Sequence, residues 1–241
     1  MKAGSGIRFA TARVEVCFMF QDRRDAGIRL AQKLREAGVG GQIILGLPRG
    51  GVPVAHEISK SLRIPLDILV VRKIGLPLNP ELTIGAMGED KVPLFNQNMI
   101  AQLNLKNHEI QDVVQSEKFE IQRQIRLFRQ DRKAADFRNR EVIVVDDGLA
   151  TGGTAAAAVK YLRKHGAGRI ILAIPVAAED SAERLRKVAD EVVVVVESPT
   201  FLAVSHWYGD FTPVSDRTVV NILLKSTKKI DPGLQDRFFR I

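Results

Sequence analysis

Two adjacent aspartates, Asp146 and Asp147, close the apolar run 141–145 and are followed by the loop 150–154, which holds two threonines and two glycines before an alanine-rich stretch. Carboxylates that close repel each other unless water, a cation or hydroxyl donors meet them. The loop reads differently. It leads straight into a helix, so its backbone N–H groups and the helix dipole converge on one small space. Gly152 and Gly153 let the backbone approach closely, and the hydroxyls of Thr151 and Thr154 add donors. Together Ala150, Thr151, Gly152, Gly153 and Thr154 make a nest for one phosphate monoester. The Walker pattern GxxxxGK[ST] is absent, and the turn is not a dinucleotide GxGxxG. The pattern points to one ligand whose two ends differ.

Two further strand ends carry chemistry. "ILGLPRGG" closes on Pro48, Arg49, Gly50 and Gly51, and "LVVRK" on Arg72 and Lys73. Two strand ends thus offer cations and the third offers carboxylates beside an anion cradle. In an open parallel sheet, ligands collect outside the carboxyl ends of the strands. The four histidines, His56, His108, His165 and His206, fit no zinc spacing such as HExxH and are read as structural.

The elements that must position these groups alternate along the chain. Strand-length apolar runs at 42–47, 66–71, 141–146, 169–174 and 191–196 are continuous rather than alternating, which predicts strands covered on both faces. Helical patterns fall at 22–37, 52–62, 97–135 with a break, 154–165, 179–189 and 214–225. Asp22 and Ser215 are candidate caps, and Gly38 and Gly166 candidate stops. The expected class is α/β, a parallel sheet with helices on both faces. Residues 72–96, with three prolines and three glycines, read as a long loop with some short strand, of the functional kind.

With 241 residues and 45% hydrophobic content, the chain can bury one large core. No run approaches the length of a membrane span, and the first twenty residues lack a continuous signal-peptide core, so a cytoplasmic protein without membrane contact is expected. The single cysteine, Cys17, excludes an internal disulfide framework and a multi-cysteine zinc site. The net charge of +8 fits a phosphorylated, nucleic or lipid partner. Residues 118–140 hold eight basic and three acidic side chains, with Ile121, Ile125 and Phe128 on one helix face and Arg123, Arg126 and Lys133 on the other. A solvated face is the favoured reading and a nucleic-acid surface the alternative.

A strand followed by two acids, a small spacer and "ATGGT" resembles the phosphoribosyl pyrophosphate signature of type I phosphoribosyltransferases. "GLPRGGVPVA" looks like that family's pyrophosphate loop, "VRKIG" like its strand-end pair near the pyrophosphate, and residues 75–89 like its mobile active-site loop. The order "FQDRRDAG … GLPRGG … VRKIGLPLNPELTIGAMGE … VVDDGLATGGT … WYGDF" resembles a group of predicted phosphoribosyltransferases whose acceptor is undefined. The resemblance implies a phosphoribosyltransferase fold over residues 19–225 with a small variable hood and a helical insertion at about 97–135. Residues 1–18 are then an extension, expected to be disordered, and 226–241 a tail.

The resemblance also implies an activity: transfer of phosphoribose from 5-phosphoribosyl 1-pyrophosphate to a nitrogenous acceptor, such as a nucleobase, with release of pyrophosphate. The nest takes the 5-phosphate, Asp146 and Asp147 receive the ribose hydroxyls, and Arg49, Arg72 and Lys73 face the pyrophosphate. Magnesium (Mg2+) is the implied cofactor, carried mainly by substrate oxygens and water, with Asp146 and Asp147 reaching it through water. A cis peptide is expected at Pro48–Arg49 or a neighbour. Glu81, with Asn79, and Trp207, Tyr208 and Phe211 are candidates for the acceptor site; turn chemistry and core packing account for the same residues equally well. A homo-oligomer, in the first instance a dimer, is expected. The competing function is a regulator that senses phosphoribosyl pyrophosphate and binds nucleic acid through 118–140.

Overall fold

The computed structural model describes residues 19–227 apart from 77, 78, 80, 81 and 131, with backbone alone at 107–109. The expectations for residues 1–18, for Glu81 and for the tail beyond 227 lie outside the described residues. In chain order come α1 (Arg23–Glu36), β1 (Ile43–Gly46), α2 (Gly51–Leu62), β2 (Leu66–Ile68), β3 (Arg72–Gly75), β4 (Thr83–Met87) and β5 (Pro93–Phe95). Then follow α3 (Gln97–Gln102), α4 (Asn107–Arg129), β6 (Glu141–Val145), α5 (Gly153–Lys164), β7 (Arg169–Ala178), α6 (Glu179–Arg186) and β8 (Glu191–Ser198). A 3-10 turn at Val204–Trp207 precedes α7 (Asp216–Thr227).

The main sheet has the order β2-β1-β6-β7-β8, and every pairing in it is parallel. Its central strands β1, β6 and β7 are almost continuously apolar because both faces are covered. Ile43, Leu45, Val142 and Val144 pack with Ala158, Leu162 and Leu185 of α5 and α6. Their neighbours Ile44, Ile143 and Val145 pack with Leu30, Leu34, Val54 and Ile58 of α1 and α2. Alternate side chains thus enter two different cores. Asp22 caps α1, its carboxylate accepting from Asp25 N at 2.8 Å, and Ser215 Oγ accepts from Thr218 N at 3.1 Å. Gly38 and Gly166 follow α1 and α5 with φ of +65° and +81°, where a side chain would be strained.

The segment 72–96 is more regular than its prolines and glycines suggest. β3, β4 and β5 form a small antiparallel sheet, a hood beside the main one, with a register shift between Ile74 and Gly75. Strands of three to five residues leave too little periodicity to read. Behind this sheet, α4 buries Ile110, Val114, Ile121 and Phe128 against Ile74, Ile84 and Met87.

The last turn of α4 is anchored by charge. Arg129 donates to Asp67 at 2.9 Å, to Glu89 at 2.7 Å and to the Ile68 carbonyl at 2.9 Å. Asp67 is fully buried and also takes Arg132 and the Ala135 N–H. Burial works against the charge of Arg129, but Asp67 and Glu89 more than offset it and raise its pKa. Several arginines of the basic segment are therefore structural, and Arg126 and Lys133 stay exposed. No helix among the described residues is long and apolar enough to cross a membrane.

Candidate functional site

Strands β1 and β6 are neighbours in the sheet although about a hundred residues separate them. The chain leaves β1 toward β2 on one side and β6 toward β7 on the other. That reversal opens a crevice at the carboxyl ends of these two strands. The loop after β1 carries Pro48–Gly51, and the Pro48–Arg49 peptide is cis. The loop after β6 carries Asp146 and Asp147. The two loops touch: a Cβ on Gly51 would lie 2.4 Å from the Val145 carbonyl oxygen and 2.8 Å from Asp146 Cα. Only glycine permits that approach.

The 150–154 loop, expected from the sequence to be an anion nest, is held from behind. Leu149 N donates to the Val176 carbonyl at 2.9 Å, and Ser181 Oγ donates to the Ala150 carbonyl at 2.6 Å. Gly152, with φ of +75°, turns the chain into α5, and its carbonyl accepts from Ala156 N. Gly153 begins the helix, where a Cβ would come 3.0 Å from Lys73 Cδ, so the lysine stem crosses the mouth of the nest. The twelve residues of α5 direct their dipole at this mouth.

The carboxylates differ. Asp146 is half-buried, and its Oδ1 accepts from Asp147 N at 2.9 Å. Burial, and then the neighbouring Asp147 carboxylate, push its pKa well above the usual aspartate value. Asp147 has a cation: Arg23 Nε donates to its Oδ2 at 2.8 Å. Tyr208 is buried, packs on Phe20 and Phe211, and donates its hydroxyl to the Asp147 carbonyl at 2.5 Å. Burial pushes that phenol pKa up, so it stays a donor.

Of the cations, Arg72 and Lys73 line a cavity of about 360 Å³ with Pro48, Leu76, Glu117 and Thr154, between the loop after β1, the start of β3 and the start of α5. Two of the cations already face carboxylates. Arg72 Nε lies 2.6 Å from Glu117, and Arg49 Nε lies 2.8 Å from Asp216. Arg123, from the basic segment, pairs with Glu120 and with the same Asp216.

The sequence profile of the phosphoribosyl transferase domain matches residues 20–208. The chain belongs to that family. A Mycobacterium tuberculosis H37Rv protein, Rv0571c, provisionally named a phosphoribosyl transferase, is 44% identical over 205 residues, which cover 85% of this chain and 46% of that one. The chain thus spans about half the length of the curated relatives it matches. The crystal structure of TT1426 from Thermus thermophilus superposes with a TM-score of 0.78 at 36% identity, over 86% of this chain and 98% of that one. A uracil phosphoribosyltransferase of Clostridioides difficile is 44% identical over 63 residues, 26% of this chain and 30% of that protein.

Within the family fold, the 150–154 loop, the aspartates and the Pro48–Gly51 loop follow the carboxyl ends of β6 and β1, whereas Arg72 and Lys73, expected at the end of the 66–71 run, instead open β3 of the small sheet, because β2 already ends at Ile68; they line the cavity together with Pro48 and Thr154. Trp207 is half-buried and stacks on Phe201 at 6.0 Å, while Tyr208 is buried, so Tyr208 supports the strand end and offers no open ring face. Asn79 is exposed and turns back onto Leu76. His165 bridges the Tyr161 carbonyl and Asp90, and His56 meets Ser226, both away from the aspartates. Arg23, Glu117 and Asp216 escaped sequence reasoning. For Arg23 the only signal is its place in "FQDRRDAG".

Proposed function

We propose that this chain is an enzyme that transfers phosphoribose from 5-phosphoribosyl 1-pyrophosphate to a nitrogenous acceptor, with release of pyrophosphate. The observation that supports the reading is the contact between the two loops, because it brings the Pro48–Gly51 loop against the strand end that carries Asp146 and Asp147 and leads into the 150–154 loop. In the proposed reaction the bond from C1 of ribose to the pyrophosphate oxygen breaks, a bond from C1 to the acceptor nitrogen forms, and the acceptor loses a proton.

Each group then has a task. The 150–154 nest holds the 5-phosphate. Asp146 and Asp147 accept the ribose hydroxyls and favour the positive charge that grows on the ring as the bond breaks. Arg49, Arg72 and Lys73 favour the charge that grows on the leaving pyrophosphate. Among the described residues no cluster of three or more His, Cys, Asp or Glu forms, and the adjacent carboxylates are hard oxygen donors. A magnesium ion fits here as one bound chiefly by substrate oxygens and water, with Asp146 and Asp147 holding its water. When bound it would neutralise pyrophosphate charge.

Pyrophosphate release, measured with phosphoribosyl pyrophosphate and magnesium against a panel of purine, pyrimidine and other amine acceptors, tests the proposal. Turnover with at least one acceptor, abolished in the Asp146→Asn, Asp147→Asn double variant, is expected. Unchanged turnover in the double variant would sink the assignment. Salt-sensitive binding to duplex or RNA that responds to phosphoribosyl pyrophosphate, with no turnover on any acceptor, would make the protein a sensor instead.

A further inference from the structure

Nothing in the proposed chemistry uses the segment 20–27, yet it reaches the centre of the crevice. Arg23 opens α1, 124 positions before Asp147, and its Nε donates to Asp147 Oδ2 at 2.8 Å. Its Nη1 donates to the Thr212 carbonyl at 2.9 Å, and its Cζ sits 3.9 Å above the Phe211 ring. The guanidinium is therefore fixed by a carboxylate, a carbonyl and an aromatic face at once. The side chains of Arg23 and Asp147 are only 11% and 16% exposed, so water screens the pair weakly.

Gly50 packs against the same carboxylate. A Cβ on Gly50 would lie 1.9 Å from Asp147 Oδ2 and 2.9 Å from Oδ1. Asp147 is lodged between a glycine and an arginine, while Tyr208 grips its carbonyl. The segment 20–21 is in turn laced to 207–210: Phe20 N donates to the Trp207 carbonyl, and Gly209 N and Asp210 N donate to the Phe20 and Gln21 carbonyls. This clasp brings Arg23 and Phe211 together.

We propose that Arg23 is the positioning residue for Asp147, holding its carboxylate in the one orientation that receives a ribose hydroxyl and offsetting one of the two adjacent negative charges. The inference rests on the proposed function, since it needs the aspartates to face ribose. A purely structural arginine would tie α1 to the 207–212 segment and contribute to stability alone. The two roles separate because inorganic phosphate uses only the nest, whereas ribose 5-phosphate uses the nest and the aspartates.

The test compares the dissociation constants of inorganic phosphate and ribose 5-phosphate by calorimetry in wild type, Arg23→Gln and Arg23→Lys. Wild type should prefer ribose 5-phosphate. Arg23→Gln should keep its phosphate affinity and lose about tenfold of the ribose preference, the scale of one hydrogen bond to a charged group. Arg23→Lys restores the charge without the planar fork and should recover part of it. If Arg23→Gln does not fold, Arg23→Lys carries the same comparison, since a partial loss is expected there too. An unchanged preference in variants that still bind phosphate overturns the role of Arg23 and leaves the proposed function standing. If wild type binds neither ligand, the proposed function fails, and the role of Arg23 with it.

Discussion

Gly50 and Asp147 share one small volume: a Cβ on Gly50 would stand 1.9 Å from Asp147 Oδ2, and that oxygen is already engaged by Arg23. The backbone of Gly50 is ordinary, with φ of −63° and ψ of −35°, so alanine would meet no conformational strain there. The obstacle is purely steric. Gly50→Ala should push the carboxylate off Arg23, weakening ribose 5-phosphate binding by tenfold or more while costing about 1–3 kcal/mol of stability, the range for overpacking. Calorimetric titration beside a thermal melt checks this. Unaltered affinity would mean that Asp147 binds no ribose.

Asp146 should behave in the opposite way. Its folded-state pKa is raised, first by burial and then by Asp147, so without ligand the ionised form destabilises the fold. Stability linked to this group is fully present below the ordinary value of 3.8 and lost as pH rises through the folded value. Asp146→Asn should therefore melt higher than wild type at neutral pH, by about 2–4 °C per kcal/mol relieved, and the advantage should vanish toward pH 4. Turnover should fall sharply in the same variant. A lower melting point at pH 7 would contradict the charge argument.

Arg72 with Glu117, and Arg49 with Asp216, occupy cations that an incoming pyrophosphate would need. These pairs are partly exposed and worth only about 0.2–1 kcal/mol each. Glu117→Gln and Asp216→Asn should each tighten pyrophosphate binding by up to about fivefold and leave inorganic phosphate in the nest unaffected. Weaker binding in both variants would show that these carboxylates orient the arginines productively.

The two glycines of the nest should fail differently. A Cβ on Gly152 would make only ordinary contacts, with Leu185 at 3.4 Å and Leu149 at 3.8 Å, but the φ of +75° strains any side chain, so Gly152→Ala should cost about 1–2 kcal/mol and blunt the thermal shift produced by phosphate. On Gly153 the Cβ would crowd Lys73 Cδ at 3.0 Å and Thr83 Oγ1 at 3.4 Å. Gly153→Ala should keep most of its stability and lose pyrophosphate affinity as the lysine is displaced. Melting curves with each anion distinguish the two.

The main sheet was legible because Ile43, Ile44, Val142 and Ile143 face two cores, and burial on both sides leaves continuous apolar runs in the sequence. Helix ends were legible where a side chain or a positive φ marks them, as at Asp22 and Gly38. The small sheet was not, since its pairing is set by contact with α4 and α5 more than by its own pattern. Asp67 sits inside the apolar run "LDILVV", where a lone carboxylate demands a cation, but nothing in the sequence says that the cation is Arg129, 62 positions on. Arg72 with Glu117 and Arg23 with Asp147 pose the same difficulty at separations of 45 and 124. Local pattern identifies groups that need partners; only the fold chooses which.

The clasp between residues 20–21 and 207–210 also supplies an optical readout. Trp207 is the one tryptophan of the chain, half-buried and stacked on Phe201, and the next residue is the tyrosine that holds the Asp147 carbonyl. Indole emission responds to small changes in polarity and contact. Ligands that settle on the ribose carboxylates should change the fluorescence of this protein, and ligands confined to the nest should leave it nearly dark to titration. A label-free spectrum can thus tell which half of the crevice is filled.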